Sequence, residues 1–204
     1  MFTGIVQTTA DVVSIKKQHG LKQFGIAINP EFCENLLRGA SVAVNGVCLT
    51  VTEQTHDKVF FDVMEETLRV TNLDDLKETD TVNIERSLAF GHEIGGHILS
   101  GHIHTQAKVI SVDNTVDNCK LTLEVDAHWM KYILYKGFIG VNGCSLTVGN
   151  LTENTFELYL IPETLKLTNL SEAGSGTLFN IEIDSQTQTI VDTVERVLAE
   201  KKLS

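Results

Sequence analysis

Two short runs alternate apolar and polar residues in the same way, 97 positions apart. In Val47–Thr52, the residues Val47, Leu49 and Val51 share one face, and Cys48, Thr50 and Thr52 share the other. That is the period of a strand half-buried against a core. In Cys144–Val148, the inward face takes Cys144, Leu146 and Val148, and the outward face takes Ser145 and Thr147. The runs Val59–Val63 and Phe156–Leu160 repeat the pattern, with Phe61 and Leu158 inward and Asp62 and Tyr159 outward. Asn45-Gly46 and Asn142-Gly143 lie between apolar runs. Such pairs predict type I′ hairpins, because both central residues need a positive φ. The period changes near the C-terminus, where Ile190, Val191, Val194, Val197 and Leu198 follow helical spacing. Ser185-Gln-Thr-Gln188 before them reads as a capping box.

The offset of 97 is general. Phe2-Thr-Gly-Ile-Val6 lies over Leu99-Ser-Gly-His-Ile103, and Val44–Val51 lies over Val141–Val148. Glu66-Thr-Leu-Arg-Val-Thr-Asn-Leu73 lies over Glu163-Thr-Leu-Lys-Leu-Thr-Asn-Leu170, and Asn83-Ile-Glu85 lies over Asn180-Ile-Glu182. One register across four blocks points to a tandem duplication. The expected units are residues 1–97, residues 98–187 and a terminal helix over 188–204, with the boundary in the glycine-containing stretch Gly91–Gly101. Several short strands in each half predict an all-β chain of two small closed barrels or sandwiches. The helix has no counterpart after the first copy. Its apolar stripe must pack on its own barrel or self-associate.

Composition narrows the setting. The chain has 204 residues, 42% of them hydrophobic and 21% charged, as in an ordinary globular protein. A net charge of −11 repels phosphate backbones and argues against a nucleic-acid partner. No apolar run approaches the ~18 residues of a spanning helix, so no membrane partner is expected. The start lacks the basic and apolar regions of a signal peptide, which points to the cytoplasm. Cys33, Cys48, Cys119 and Cys144 form no C-x-x-C pair and are expected to be free thiols.

The polar strand positions face outward, so a small ligand held there needs a second surface to cover it. The other copy or another subunit is the natural lid. The copies differ at matched positions: Cys48 becomes Ser145, Ile5 becomes His102, Gly39 becomes Lys136, and Ser87 becomes Asp184. Serine, aspartate and histidine together match a hydrolase triad in composition, but there is no G-x-S-x-G elbow. Taken singly, these positions also read as ordinary surface polarity. The stretch His92–His104 holds four histidines. His92 and His97 are five apart with glycines between, which does not fit a helical zinc motif. His102 and His104 share a strand face, so a metal pair there is the weaker alternative.

The start Met1-Phe-Thr-Gly-Ile-Val-Gln7, the segment Met130–Gly140, the paired Asn-Gly-x-[Cys/Ser]-Leu-Thr-Val motifs and Ile161-Pro-Glu-Thr-Leu165 resemble the riboflavin synthase family of alpha type. The resemblance spans essentially the whole chain. It implies two tandem six-stranded Greek-key barrels, a homotrimer held by the C-terminal helices, and active sites shared between subunits. It implies a transferase that dismutates two molecules of 6,7-dimethyl-8-ribityllumazine by four-carbon transfer. The products are riboflavin and 5-amino-6-ribitylamino-uracil, the last step of riboflavin biosynthesis, with no cofactor and no metal. Catalytic roles fall to Cys48, His102, Ser145 and Asp184: a proton carrier in His102, and Ser145 with Asp184 to bind or activate an adding nucleophile. Cys48 takes a similar part in the first barrel, and Lys136 offers charge to an anionic intermediate. Ligand contacts are expected in the first copy from Gly4, Ile5 and Val6, from Cys48, Leu49 and Thr50, and from Asp62, Val63, Met64, Glu65, Glu66 and Thr67. In the second they are expected from Gly101, His102 and Ile103, from Lys136, from Ser145, Leu146 and Thr147, and from Leu160, Ile161, Pro162, Glu163, Thr164 and Leu165. The alternatives are a non-catalytic lumazine or flavin binder, as among the family's optical-antenna relatives, a purely structural module, and a metal hydrolase using His102 and His104.

Overall fold

The computed structural model describes residues 1–115 and 118–202. It contains two closed antiparallel barrels of six strands each. The first holds β1 (Thr8–Gln18), β2 (Leu21–Ala27), β3 (Ser41–Val44), β4 (Val47–Gln54), β5 (Lys58–Met64) and β6 (Thr81–Arg86). The second holds β7 (Thr105–Asn114), β8 (Cys119–Glu124), β9 (Phe138–Val141), β10 (Cys144–Leu151), β11 (Thr155–Leu160) and β12 (Leu178–Ile183). The strand order of the first, β1-β2-β5-β4-β3-β6, recurs in the second. This is the Greek-key duplication that the family resemblance implies. Even the bulges repeat: those after Val12 and Val51 recur after Val109 and Val148.

Strand alternation fills each barrel. Val12, Phe24, Val47, Leu49, Val51, Phe61 and Ile84 pack the first core, and Val109, Leu121, Cys144, Val148, Phe156, Leu158 and Ile181 pack the second. Truncating one of the buried phenylalanines to alanine costs about 3–5 kcal/mol through lost transfer energy and the cavity left behind. Both Asn-Gly turns have the expected geometry, with φ of 46° and 80° at Asn45 and Gly46, and 44° and 82° at Asn142 and Gly143. The two turns also meet each other. A Cβ on Gly46 would stand 2.6 Å from the Gly143 nitrogen, so glycine is required there for close approach as well as for φ.

A pseudo-twofold seam joins the barrels. Phe2 and Leu99, matched residues of the two copies, form an antiparallel bridge with N–H···O distances of 2.8 and 3.0 Å. Six asparagines, all in repeated blocks, interlock beside it. Asn180 Nδ2 donates to the Asn45 carbonyl, and Asn83 Nδ2 donates to the Asn142 carbonyl, each at 2.9 Å. The Asn72 N–H donates to Asn180 Oδ1, and the Asn169 N–H donates to Asn83 Oδ1, each at 2.7 Å. Removing one of these amides strands its buried partners at about 1–3 kcal/mol each. The asparagine repeat therefore builds the seam between the barrels.

Helix α1 spans Pro30–Cys33, α2 Glu65–Val70, α3 Ala127–Met130, α4 Pro162–Leu167 and α5 Ser185–Lys202. The last begins three residues before the expected 188, and residues 203 and 204 lie outside the described residues. Its cap differs from the expected box. Asp184 Oδ2 accepts from the Thr187 N–H and from Thr187 Oγ1, each at 2.8 Å. Ser185 is already helical and exposed, and Gln188 instead bonds His104 at 3.1 Å. A carboxylate outcompetes the neighbouring hydroxyl as acceptor for the free N–H groups at the positive end of the helix.

Candidate active site

Each barrel presents its β4 or β10 strand to the N-terminal segment of the other copy. The Ser145 N–H donates to the Gly4 carbonyl at 2.8 Å, and the Cys48 N–H donates to the Gly101 carbonyl at 2.9 Å. Packing follows the same exchange: Val6 belongs to the core of the second barrel, and Ile103 packs on the core of the first. The grouping expected from the sequence is therefore corrected. Gly4, Ile5 and Val6 stand with Ser145, while Gly101, His102 and Ile103 stand with Cys48. Pairing of β4 with β5 begins only at Val51, and of β10 with β11 only at Val148, so Cys48 and Ser145 precede it and bond the segment of the other copy instead.

On the Ser145 side the residues enclose a cleft of about 210 Å³. Gly4 and Ile5, Ser145 and Leu146, and Ile161, Glu163 and Thr164 at the start of α4 line it. The lining is chiefly apolar, with few polar groups, as small-molecule sites are. On the Cys48 side, Cys48 is half-buried, and Thr50, Asp62, Met64, Glu65, Glu66 and His102 are exposed. Asp62 accepts from Gln23 at 3.0 Å, and Glu66 pairs with Arg69 at 2.6 Å. Some expected contacts point inward: Val6, Leu49, Val63 and Leu160 are buried in the cores, so only their backbones reach a surface ligand. Ile103 and Leu165 are partly buried against their cores, while Thr67 is half-buried and Thr147 exposed. Pro162 supplies the first residue of α4, where a missing N–H costs nothing.

The histidine on Ser145 is one that the sequence reading passed over. His97 Nδ1 lies 2.6 Å from Ser145 Oγ. The ring is buried and stacks on Phe138 at 5.1 Å and 17°. Burial pushes its pKa below the usual imidazole value, while the charge of Asp184 pulls the other way. A neutral ring accepting the serine proton at Nδ1 carries its own proton on Nε2. That atom is buried and has no partner among the described residues. His102, given the proton-carrying role by the resemblance, is exposed beside Cys48, and its backbone N–H donates to Ser100 Oγ at 3.2 Å. His104 turns to α5, so the two do not form a pair: its Nε2 bonds Gln188 at 3.1 Å and its Nδ1 accepts from the Ile183 N–H at 3.2 Å.

The matched differences take physical form. Gly39 has φ +87°, and Lys136 holds the same left-handed conformation at +62°. Both N–H groups bond the same strand position, Val51 and Val148. A lysine there bears roughly 1 kcal/mol that the glycine does not. The Lys136 ammonium lies over the Tyr135 ring at 5.3 Å. Asp184 is close enough to act on His97, but one of its oxygens is committed to the α5 cap.

Comparison with known proteins bears directly on this geometry. The lumazine binding domain model matches twice, over residues 3–87 and 100–184, one match per barrel. Riboflavin synthase of Escherichia coli K12 is 52% identical over 203 residues, covering 99% of this chain and 95% of that protein. The chain belongs to the riboflavin synthase family. Bacillus subtilis riboflavin synthase is 39% identical over 90% of the chain and 85% of its own length. Among solved structures, LumP complexed with 6,7-dimethyl-8-(1'-D-ribityl) lumazine superposes with a TM-score of 0.83 at 26% identity, covering 91% of this chain and 100% of that one. LumP complexed with riboflavin gives 0.84 at 28%, with the same coverage. Family membership accounts for two like barrels in one chain. The Ser145–His97 contact has no hydrogen-bonded counterpart at Cys48 among the described residues.

Proposed function

We propose that the chain is a riboflavin synthase: it dismutates two molecules of 6,7-dimethyl-8-ribityllumazine into riboflavin and 5-amino-6-ribitylamino-uracil. Two identical substrates supply all the atoms of both products. The observation that carries the reading is the Ser145 Oγ–His97 Nδ1 contact of 2.6 Å in one of two related half-sites. Like sites bind like molecules, and holding the two together supplies proximity and orientation. An unlike residue set then makes one molecule the donor and the other the acceptor. A neutral His97 takes the proton as the hydroxyl, or a water it orients, adds to C7 of the molecule that gives up its four carbons. The other molecule, which receives the four carbons, passes a proton from its C7 methyl to His102 or to solvent; the anion delocalises into the ring, and Lys136 offers it a counter-charge.

The cleft of about 210 Å³ is smaller than the 300–1,000 Å³ usual for such ligands, which supports a lid from another subunit. Helix α5 supports the same reading. Val191 packs on the second barrel, Tyr132 Oη donates to Asp192 at 2.5 Å, and Lys131 pairs with Glu195 at 2.5 Å. Ile190, Val194, Val197 and Leu198 stay exposed. We assign this stripe to self-association, in the trimer that the family resemblance implies. No helix among the described residues is long and apolar enough to cross a membrane. The four cysteines are free thiols, which supports a reducing compartment such as the cytoplasm.

Incubation with the lumazine alone tests the activity. One riboflavin should appear for every two lumazines consumed, followed by flavin absorbance. Bound but unreacted lumazine would instead make the chain a chromophore carrier. Sedimentation of the wild type and of Val194→Asp tests the assembly: a wild-type monomer would sink the trimer.

A further inference from the structure

We propose that two buried carboxylates, Glu85 and Glu182, are positioning residues that act crosswise: each sits in one barrel and sets the ligand-facing wall of the other barrel's site. Glu85 lies on β6 of the first barrel, and Glu182 at the matched place on β12 of the second. Both are buried. Glu85 Oε1 accepts from the Thr3 N–H at 2.6 Å and from Thr3 Oγ1 at 2.7 Å, and its Oε2 accepts from the Gly4 N–H at 3.1 Å. Glu182 Oε1 accepts from the Ser100 N–H at 2.6 Å and from Ser100 Oγ at 2.8 Å, and its Oε2 accepts from the Gly101 N–H at 3.1 Å. Each hydroxyl in turn accepts from the next-but-one amide, Ile5 at 3.3 Å and His102 at 3.2 Å.

A buried charge is expensive unless hydrogen bonds replace its water. Among the described residues neither carboxylate forms a salt bridge. Their hydrogen-bond donors come from the two segments, with longer-range attraction from the N-terminus on Glu85 and from His104 on Glu182. An apolar residue would anchor a strand end at lower cost. A carboxylate, which only accepts, gathers several donors of one turn on one side. With its N–H groups drawn onto the carboxylate, the segment has its carbonyl turned the opposite way. That carbonyl, of Gly4 or Gly101, is the group that accepts from Ser145 or Cys48. The carboxylate therefore sets the register of the segment against the partner strand. Glu85 governs the wall facing Ser145, and Glu182 the wall facing Cys48.

The ligand arm of this inference rests on the reading of both sites as lumazine-binding, but the clamp itself is testable without ligand. Amide hydrogen exchange of the full chain should show Cys48 exchanging about tenfold faster in Glu182→Gln, the scale of one lost hydrogen bond, with Ser145 unchanged. Glu85→Gln should do the reverse. Ser100→Ala and Thr3→Val keep both carboxylates and should give the same crossed pattern at smaller size, which preserves the test if a glutamine variant fails to fold. Equal acceleration at both amides, no acceleration, or acceleration only on the variant's own barrel would overturn the proposal. Riboflavin protection of Cys48 against iodoacetamide then reads the ligand wall. It should weaken in Glu182→Gln and Ser100→Ala and persist in Glu85→Gln and Thr3→Val. Protection lost equally in both pairs overturns the crosswise positioning. Absence of protection in the wild type would refute ligand binding at Cys48 and leave exchange to decide the clamp.

Discussion

Ser145 and Cys48 hold the same strand position in their barrels, and each donates its N–H to a glycine carbonyl of the other copy. Their surroundings differ because one piece of chain occurs only once between the barrels. The linker folds back over Ser145, bringing His97 onto its hydroxyl and Gly96 against its Cβ. After the second barrel the chain instead turns at Asp184 into α5 and leaves toward Tyr132 and Lys131. Among the described residues no hydrogen bond reaches Cys48 Sγ. Duplication accounts for two like barrels, each matched by the lumazine binding domain model. The connection between the copies makes them chemically unequal, and it does so with residues that have no partner in the repeat.

The largest expected effect tests that inequality. Ser145→Ala and His97→Ala should each lower kcat about 10²–10⁴-fold, the span of a lost acid–base or nucleophile pair. The double variant should lose little more, because the two act as one unit. Cys48→Ala should cost clearly less, while weakening ligand affinity on its own side. Steady-state kinetics of the four proteins decides this, and equal losses at Cys48 and Ser145 would break the comparison. Next in size is the linker itself. A Cβ at Gly96 would stand 2.3 Å from the Thr3 carbonyl oxygen and 2.6 Å from Ser145 Cβ. Gly96→Ala should therefore destabilise by about 1–3 kcal/mol in a denaturant titration and lower kcat. Gly95→Ala meets only the flexible Ile5 side chain at 3.2 Å and should change little.

The barrels were readable because alternation, the Asn-Gly turns and the constant offset all describe local structure. Val47, Leu49 and Val51 do enter the core, and so do Phe61 and Leu158. The exchange of N-terminal segments was not readable. Gly4 and Gly101 sit in matched blocks, and nothing local says which barrel a segment will cross to. His97 is not legible for a related reason: it lies outside the repeat, and the spacing of the histidine-rich stretch speaks only to metal motifs. Its signal was present in an apolar neighbour at the right distance, Phe138, but a stacking partner 41 positions away is visible only in three dimensions. The α5 cap was displaced by one residue because Asp184 competes with Ser185 for the same amides.

Lys136 sharpens the comparison through an opposition of stability and activity. The matched residue is Gly39, and both positions are left-handed. Lys136→Gly should raise stability by up to about 1 kcal/mol through relief of the backbone, less the entropy that glycine loses on folding. It should at the same time reduce kcat through the lost ammonium charge. A thermal melt and a rate measurement on the same sample separate these. A variant no more stable and equally active would make Lys136 an ordinary surface residue.

The smallest effect concerns pH, and its sign follows from His97. Burial sets the folded pKa below the ordinary value of 6.5, with Asp184 pulling it partly back. The neutral ring, needed to accept the Ser145 proton, therefore persists as pH falls through 6.5 and is lost only below the folded pKa. In that same window the unfolded chain binds the proton first, so stability falls with falling pH. The acid limb of kcat should lie below pH 6.5 for this reason. Asp184→Asn removes the charge but keeps an equally good helix cap, so the limb should move further toward acid with the melting midpoint nearly unchanged. Asp184→Ala should shift the limb in the same direction and, in addition, cost about 0.5–2 kcal/mol through the lost cap. If Asp184→Asn moves the limb toward alkaline pH, Asp184 does not act on His97 through its charge, and the distinction between the two half-sites rests on the linker alone.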